Sequence, residues 1–305
     1  MDTKQLPNLD ESVMSALNFF SKNTPPKFNL KITDLPFIIG SGNAYNTGKI
    51  IFSQQPAVFA NESNLKTKLK AHKKLINAGV IKQAIIISAS GEKDAVWEIA
   101  EAKKYGLKTI LMTCGADSSG AKVADRVLVY RKIAEPQTYN ISTYLGMIIS
   151  VSKEKPEAIK KFLQKIKLPK KFADYNAYSF IVPDEMAEIT PMLDIKKHEL
   201  FGPYLSIRSF SFGDARHAKF VMPWEKELVI SLGKNNYFGF KNQRLEINLP
   251  KNYGPGLVMA LTYYLIGKIQ ASKKPYYKQN IAKYCLEGPK AYGRKKPFAI
   301  IVPGN

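Results

Sequence analysis

Three groups of residues have the types and spacing to do chemistry. Ser88 and Ser90, with Gly91-Glu92-Lys93 after them, follow the apolar run Ala84-Ile85-Ile86-Ile87. Hydroxyls and free N–H groups at the end of a buried strand and ahead of a helix form an anion site, reinforced by the helix dipole. Gly91 lets the backbone turn tightly towards a ligand. The same residues also suit an ordinary strand-to-helix turn with serine as N-cap. Lys196 and Glu199 are at i and i+3 in a stretch of helical spacing, which puts them on one face. Such a pair is either a surface ion pair or a carboxylate held ready as a base beside a cation. His217, with a reference pKa of about 6.5, suits proton transfer near neutrality and equally a surface or structural place. A second loop, Gly40-Ser41-Gly42-Asn43, follows Phe37-Ile38-Ile39. Its lone Gly-x-Gly lacks the third glycine of a dinucleotide fingerprint.

Elements of alternating type must position these groups. Apolar runs predict strands over 37–39, 84–87, 109–112 and 127–130, and helical spacing predicts helices over 10–20, 45–54, 94–105 and 142–151. The continuous apolar run at 84–87 is the mark of a strand buried on both faces of a parallel sheet. A charged stretch, 153–171, contains Pro156 and reads as a bridge. The same order then recurs in weaker form, with strands over 179–182, 227–231 and 245–248 and helices over 190–201 and 255–270. The expected fold is α/β, two tandem lobes each with a mainly parallel sheet flanked by helices, and ligands beyond the C-terminal strand ends. The expected division is 1–168, with the N-terminal and bridging helices, and 169–305, with the C-terminal tail.

Composition narrows the function. The chain has 305 residues, 45% hydrophobic, 11% aromatic and 23% charged, which excludes a disordered tail, a collagen-like repeat or a coiled-coil rod. No apolar run approaches the roughly 20 residues needed to span a bilayer, so no membrane partner is expected. The N-terminus has no basic-then-apolar leader, and Cys114 and Cys285 form no disulfide framework or zinc cluster. A reduced cytoplasm is the expected location. A net charge of +21 suggests nucleic acid, yet only six of the 46 basic residues are Arg and the lysines are spread along the whole chain. That pattern reads as a solvated surface that steers anionic metabolites, and nucleic acid is not an expected partner. No Gly-x-Ser-x-Gly elbow, Walker loop or His-Glu-x-x-His is present, and no metal or cofactor is expected.

Taken in order, Phe37-Ile-Ile-Gly-Ser-Gly-Asn-Ala-Tyr, the strand ending Ile87-Ser88-Ala89-Ser90-Gly91-Glu92, Ala124-Asp125 before a strand, and Glu135 with Ser142-Thr143 resemble the sugar isomerase (SIS) domain. In the second half, Lys196-Lys197-His198-Glu199 and Gly213-Asp214-Ala215-Arg216-His217 are similar to the K-x-K-E and G-E-x-x-H-G segments of the isomerase part of the glucosamine-fructose-6-phosphate aminotransferase family. The resemblance covers about residues 35 to 285. It implies two SIS-type lobes, a sugar phosphate as ligand and a homodimer. Ser88, Ser90 and Gly91 would bind the phosphate. Ala89 stands where the family commonly has Gln, and Ala44 where its first loop offers Ser, leaving Ser41 and Asn43 as substitutes. Lys93 stands where the family has a phosphate-binding Thr, and either supplies a point charge or blocks the site.

Aldose–ketose isomerisation moves a proton between neighbouring carbons through an enediol, and the resemblance makes Glu199 the base, beside Lys196. It gives His217 a part in ring opening, reaching the neighbouring subunit's site, although Ala218-Lys219 follows it in place of Gly-Pro. Lys283, in Asn280-Ile281-Ala282-Lys283, matches the family's Schiff-base lysine, with Lys295 and Lys296 as alternatives. Two functions follow as expectations. One is isomerisation of a hexose or amino-hexose 6-phosphate, with deamination of an amino-sugar phosphate as its enzymatic alternative, and the other a non-catalytic sugar-phosphate sensor.

Overall fold

The computed structural model of the chain describes residues 3–28, 35–218, 220, 222–293 and 295–303; Lys219 lies outside them. Two compact units emerge, interleaved along the chain. One holds 22–132 and 143–154, the other 1–21, 133–142 and 155–305.

The unit of 22–132 and 143–154 alternates strand and helix: β1 (Phe37–Gly40), α2 (Asn43–Ile51), β2 (Val58–Ala60), α3 (Leu65–Ala71), α4 (Lys73–Asn77), β3 (Gln83–Ile87), α5 (Asp94–Lys104), β4 (Lys108–Thr113), α6 (Ser119–Val123) and β5 (Arg126–Val129), with most of α7 (Ile141–Ser152). All pairings are parallel, in the order β2-β1-β3-β4-β5. Burial on both faces explains the apolar runs: Phe37 and Ile39, Ile85 and Ile86, and Leu111 are all 1% exposed or less. Each such side chain contributes about 1.5–3 kcal/mol on leaving water. Asp125, from the Ala124-Asp125 motif, accepts from the N–H and hydroxyl of Thr109 at 2.7 and 2.8 Å and from Lys103 at 2.7 Å. Lys103 first, then Thr109, holds its carboxyl down at about 2. The aspartate therefore clips the start of β4 to the start of β5.

The other unit carries α1 (Leu9–Lys22), α8 (Pro156–Leu163), β6 (Ala177–Val182), α9 (Thr190–Phe201), β7 (Ser206–Ser211), α10 (Phe212–His217), β8 (Glu227–Leu232), β9 (Arg244–Ile247), α11 (Pro255–Ser272) and α12 (Tyr276–Glu287). Its parallel strands run in the order β7-β6-β8-β9. Counted within the unit that is second-first-third-fourth, the order of the first four strands of the other sheet. Helix α1 packs here: its Leu9 N–H donates to Gln270 Oε1 at 2.8 Å and Asp10 pairs with Lys268 at 2.7 Å, both partners on α11.

The sequence expectation passed over β2, β7, α12 and the short helices α3, α4, α6 and α10. The first two are each the second strand of their unit and lie at a sheet edge, where one side is unpaired and the continuous apolar signature is lost. In β7, Ser206-Ile-Arg-Ser-Phe-Ser, only Ile207 and Ser211 are buried. Consequently β8 is the third strand of its unit, where the sequence pointed to the second. Among the described residues no helix is long and apolar enough to cross a membrane.

Candidate functional site

In the first sheet the strand order reverses at β1, so the loops after β1 and β3 flank a topological switch point, the usual ligand crevice of an open parallel sheet. Those loops carry Ser41 and Asn43 on one side and Ser88, Ser90, Gly91 and Lys93 on the other. In the second loop the Ser88 hydroxyl accepts from Gly91 N–H at 3.1 Å and the Ser90 hydroxyl from Glu92 N–H at 3.3 Å. Each hydroxyl keeps its own proton to donate. Gly91 has φ 68°, and a Cβ there would lie 2.1 Å from Ser118 Oγ, so only glycine fits. The loop after β4 braces it from behind: Cys114 N–H donates to Ala89 O at 3.1 Å and Gly120 N–H to Gly91 O at 2.8 Å.

Lys93 is the outlier. It precedes α5 with φ 56° and ψ −116°, while Gly42 precedes α2 with φ 54° and ψ −125°. The two switch-point loops thus enter their helices through the same torsions, one on glycine and one on an exposed lysine. A side chain in this region costs about 1–3 kcal/mol and persists where the surroundings impose it, commonly at ligand loops. Beneath the first loop, Ser41 Oγ donates to Glu98 Oε1 at 3.3 Å. Glu98 is 1% exposed, and burial first, then the Asp94 charge, pushes its carboxyl up to about 8. Asn43 Oδ1 is buried without a hydrogen-bond partner.

In the other unit α9 brings Lys196 and Glu199 onto one face, and of the two alternatives the pair is not a surface one. Lys196 is fully buried. Its ammonium donates to Thr138 O and to Glu199 Oε2, and lies 5.7 Å from the centre of the Tyr263 ring. The Glu199 side chain, 23% exposed, opens into a cavity of about 280 Å³. Burial raises its pKa and the Lys196 charge offsets part of that rise. A carboxylate so desolvated is a stronger base than one in water.

His217 ends α10 as an exposed residue and does not line this cavity. Nor does Lys283: α12 presents Tyr277, Asn280, Ile281 and Tyr284 at helical spacing to the cavity and leaves Lys283 off that face, in solvent. Lys295 and Lys296 are exposed as well. Sequence reasoning missed Thr138 and Glu98, which no motif marks. Tyr276 and Tyr277 also face the cavity, although Tyr277 is only 4% exposed.

The sequence matches no protein-family model and no curated protein. Solved structures are similar in fold. The C-terminal domain of glucosamine-fructose-6-phosphate aminotransferase from Francisella tularensis superposes with a TM-score of 0.58 at 13% identity, covering 87% of this chain and 93% of that one. Glucosamine-6-phosphate deaminase from Thermotoga maritima gives 0.58 at 17% identity, covering 89% and 94%. Tagatose-6-phosphate ketose/aldose isomerase from Escherichia coli gives 0.57 at 12%, covering 90% and 92%. At these identities the likeness speaks for architecture alone. The chain therefore has an α/β fold of parallel sheets flanked by helices, the fold of these phosphosugar isomerase- and deaminase-type proteins.

Proposed function

We propose that the protein is a phosphosugar isomerase built from two SIS-type lobes, each holding one sheet, and that it interconverts the ketose and aldose forms of a hexose or amino-hexose 6-phosphate. The observation that supports this most is the Glu199 carboxylate, backed by the buried Lys196 and opening into a cavity. In this reading Glu199 removes the proton from C1 of the ketose, leaving an enediolate, and returns it at C2, while the proton on O1 passes to O2 through water. The product aldose and the regenerated carboxylate close the balance. Lys196 holds the carboxylate in place, and its charge offsets part of the effect of burial. Ser88, Ser90, Gly91 and Lys93, with Ser41 and Asn43, bind the phosphate through N–H groups, hydroxyls and one ammonium. His217 assists ring opening in a homodimer, Lys283 is the candidate for a Schiff base, and the cytoplasm is the place of action.

The test is proton exchange with solvent. In deuterated water with fructose 6-phosphate, the wild type should place deuterium at C1 of the ketose or C2 of the aldose. Glu199→Gln should abolish this and bind nearly as well, because the amide keeps the shape and loses the basicity. Binding without exchange in the wild type would defeat the isomerase reading. A sensor would then take its place, a reading favoured by the absence of His217 and Lys283 from the cavity lining.

A further inference from the structure

The cavity beside Glu199 has walls that neither the proton transfer nor the phosphate loops explain. Thr138 forms part of it and is 8% exposed, with φ 75°. For a β-branched residue that torsion is an outlier, maintained here by a defined hold: its carbonyl receives the Lys196 ammonium. Its hydroxyl makes no well-formed hydrogen bond, although it sits near the Tyr277 hydroxyl. A buried hydroxyl in that condition is a cost to the fold unless a ligand completes it.

The facing wall is aromatic. Tyr277 is fixed from both sides, donating to Gln137 O at 2.5 Å and packing 5.1 Å from the Tyr139 ring. Tyr276 packs edge-on against Tyr204 at 5.5 Å, and a Cβ on Gly202, whose φ is 55°, would fall 2.4 Å from its ring. Tyr284 is 41% exposed, and burial and the nearby Glu199 charge push its hydroxyl up to about 12. Rings, a hydroxyl, the Asn280 amide, the His198 imidazole and a carboxylate suit the neutral, polyhydroxylated part of a ligand, whose C–H face covers an aromatic ring while its hydroxyls bond. They do not suit a phosphate, because the adjacent ammonium of Lys196 is already bound to Thr138 O and Glu199.

We propose that this cavity is the subsite recognising the hydroxylated carbon chain of the sugar, with Thr138 Oγ1 as its hydrogen-bonding group and Tyr284 as its covering wall. The assignment rests on the phosphosugar reading and adds residues that position the substrate at Glu199. Calorimetry with fructose 6-phosphate, run beside thermal melts, tests it. Thr138→Val keeps shape and branching. It should melt at or above the wild-type temperature and bind roughly 3- to 10-fold more weakly, the signature of a hydroxyl that serves the ligand alone. Tyr284→Ala should weaken binding by roughly 3- to 10-fold and Tyr284→Phe should restore it. Tyr237→Ala, on a loop with 75% exposure, should bind like the wild type. A Thr138→Val protein that melts several degrees lower would overturn the proposal, since the hydroxyl would then belong to the fold. Wild-type affinity in both Thr138→Val and Tyr284→Ala would overturn it too. Failure of the wild type to bind any hexose 6-phosphate would remove the phosphosugar reading and this subsite together. Binding without deuterium exchange would remove only the isomerase step, and Thr138→Val would still decide the subsite.

Discussion

Replacing Lys93 with glycine should make the protein more stable and a poorer binder of sugar phosphates. The Lys93 torsions, 56° and −116°, lie within 9° of those of Gly42 in both angles, so glycine enters α5 without rearrangement. Relief of a side chain held in this region contributes about 1–3 kcal/mol. Against that, glycine frees the unfolded chain by about 0.5–1 kcal/mol. The net gain is roughly 0.5–2 kcal/mol, a rise in Tm of about 1–4 °C for a chain of this size. If the Lys93 ammonium serves the phosphate, the same change removes a charge-assisted hydrogen bond. Affinity for fructose 6-phosphate should fall by about 1.5–3 kcal/mol, roughly ten- to a hundredfold. Melts and calorimetry on one preparation read both numbers. A glycine variant melting below the wild type would refute the strain argument. One that melts higher and binds better would show Lys93 to be a blocker of the loop.

Two further outcomes come from buried charge. Glu98 titrates near 8 in the folded chain against an ordinary 4.5, so between those values the folded state holds a proton that the unfolded state has lost. Stability should therefore fall as pH rises from about 5 to 8, by at most about 1.4 kcal/mol per unit, and Glu98→Gln should flatten that slope in urea titrations and be the more stable protein at pH 8. Lys196→Met should cost about 3 kcal/mol in the same assay, because it strands Glu199 and the Thr138 carbonyl, and adding Glu199→Gln should recover at least half of the loss.

How far the sequence could be read depends on which physical signal each element leaves. Strands buried on both faces, such as β3 with Ala84 to Ile87 at 1% exposure or less, write themselves as apolar runs. Edge strands do not: β2 has three residues, and β7 has only two apolar residues, Ile207 and Phe210, set among serines and an arginine. Helix α12 was illegible for another reason. Its buried face is Tyr277, Ile281 and Cys285, embedded in a lysine-rich stretch, so periodicity has little contrast. At the site, i and i+3 spacing placed Lys196 and Glu199 on one face, but spacing cannot say whether that face looks at water or at the core. Tyr263 of α11 and Thr138 of a distant loop decide that, and both reach the pair only through tertiary folding. The strain at Lys93 was invisible for a similar reason, since a departure from a motif does not reveal the torsion beneath it.

The repeated strand order suggests why the two units do different things. In the first, the loops at the switch point would, on the proposed reading, offer serine hydroxyls and N–H groups to a ligand, and the buried Glu98 accepts from Ser41 beneath them. In the second, the loop after β6 supplies an anion of its own. Asp184 Oδ1 accepts the Gly213 N–H at 2.6 Å, and that bond together with Ser211 holds its carboxyl below the usual range. A carboxylate already seated on those donors leaves them little to offer a phosphate, and its charge repels one. On the proposed reading, chemistry in that unit would fall instead to the face of α9, which carries Glu199, and to α12, whose tyrosines line the cavity beside it. Two copies of one sheet order would thus have diverged, one seating its own carboxylate across the ends of β6 and β7 and the other leaving its switch-point loops to a ligand.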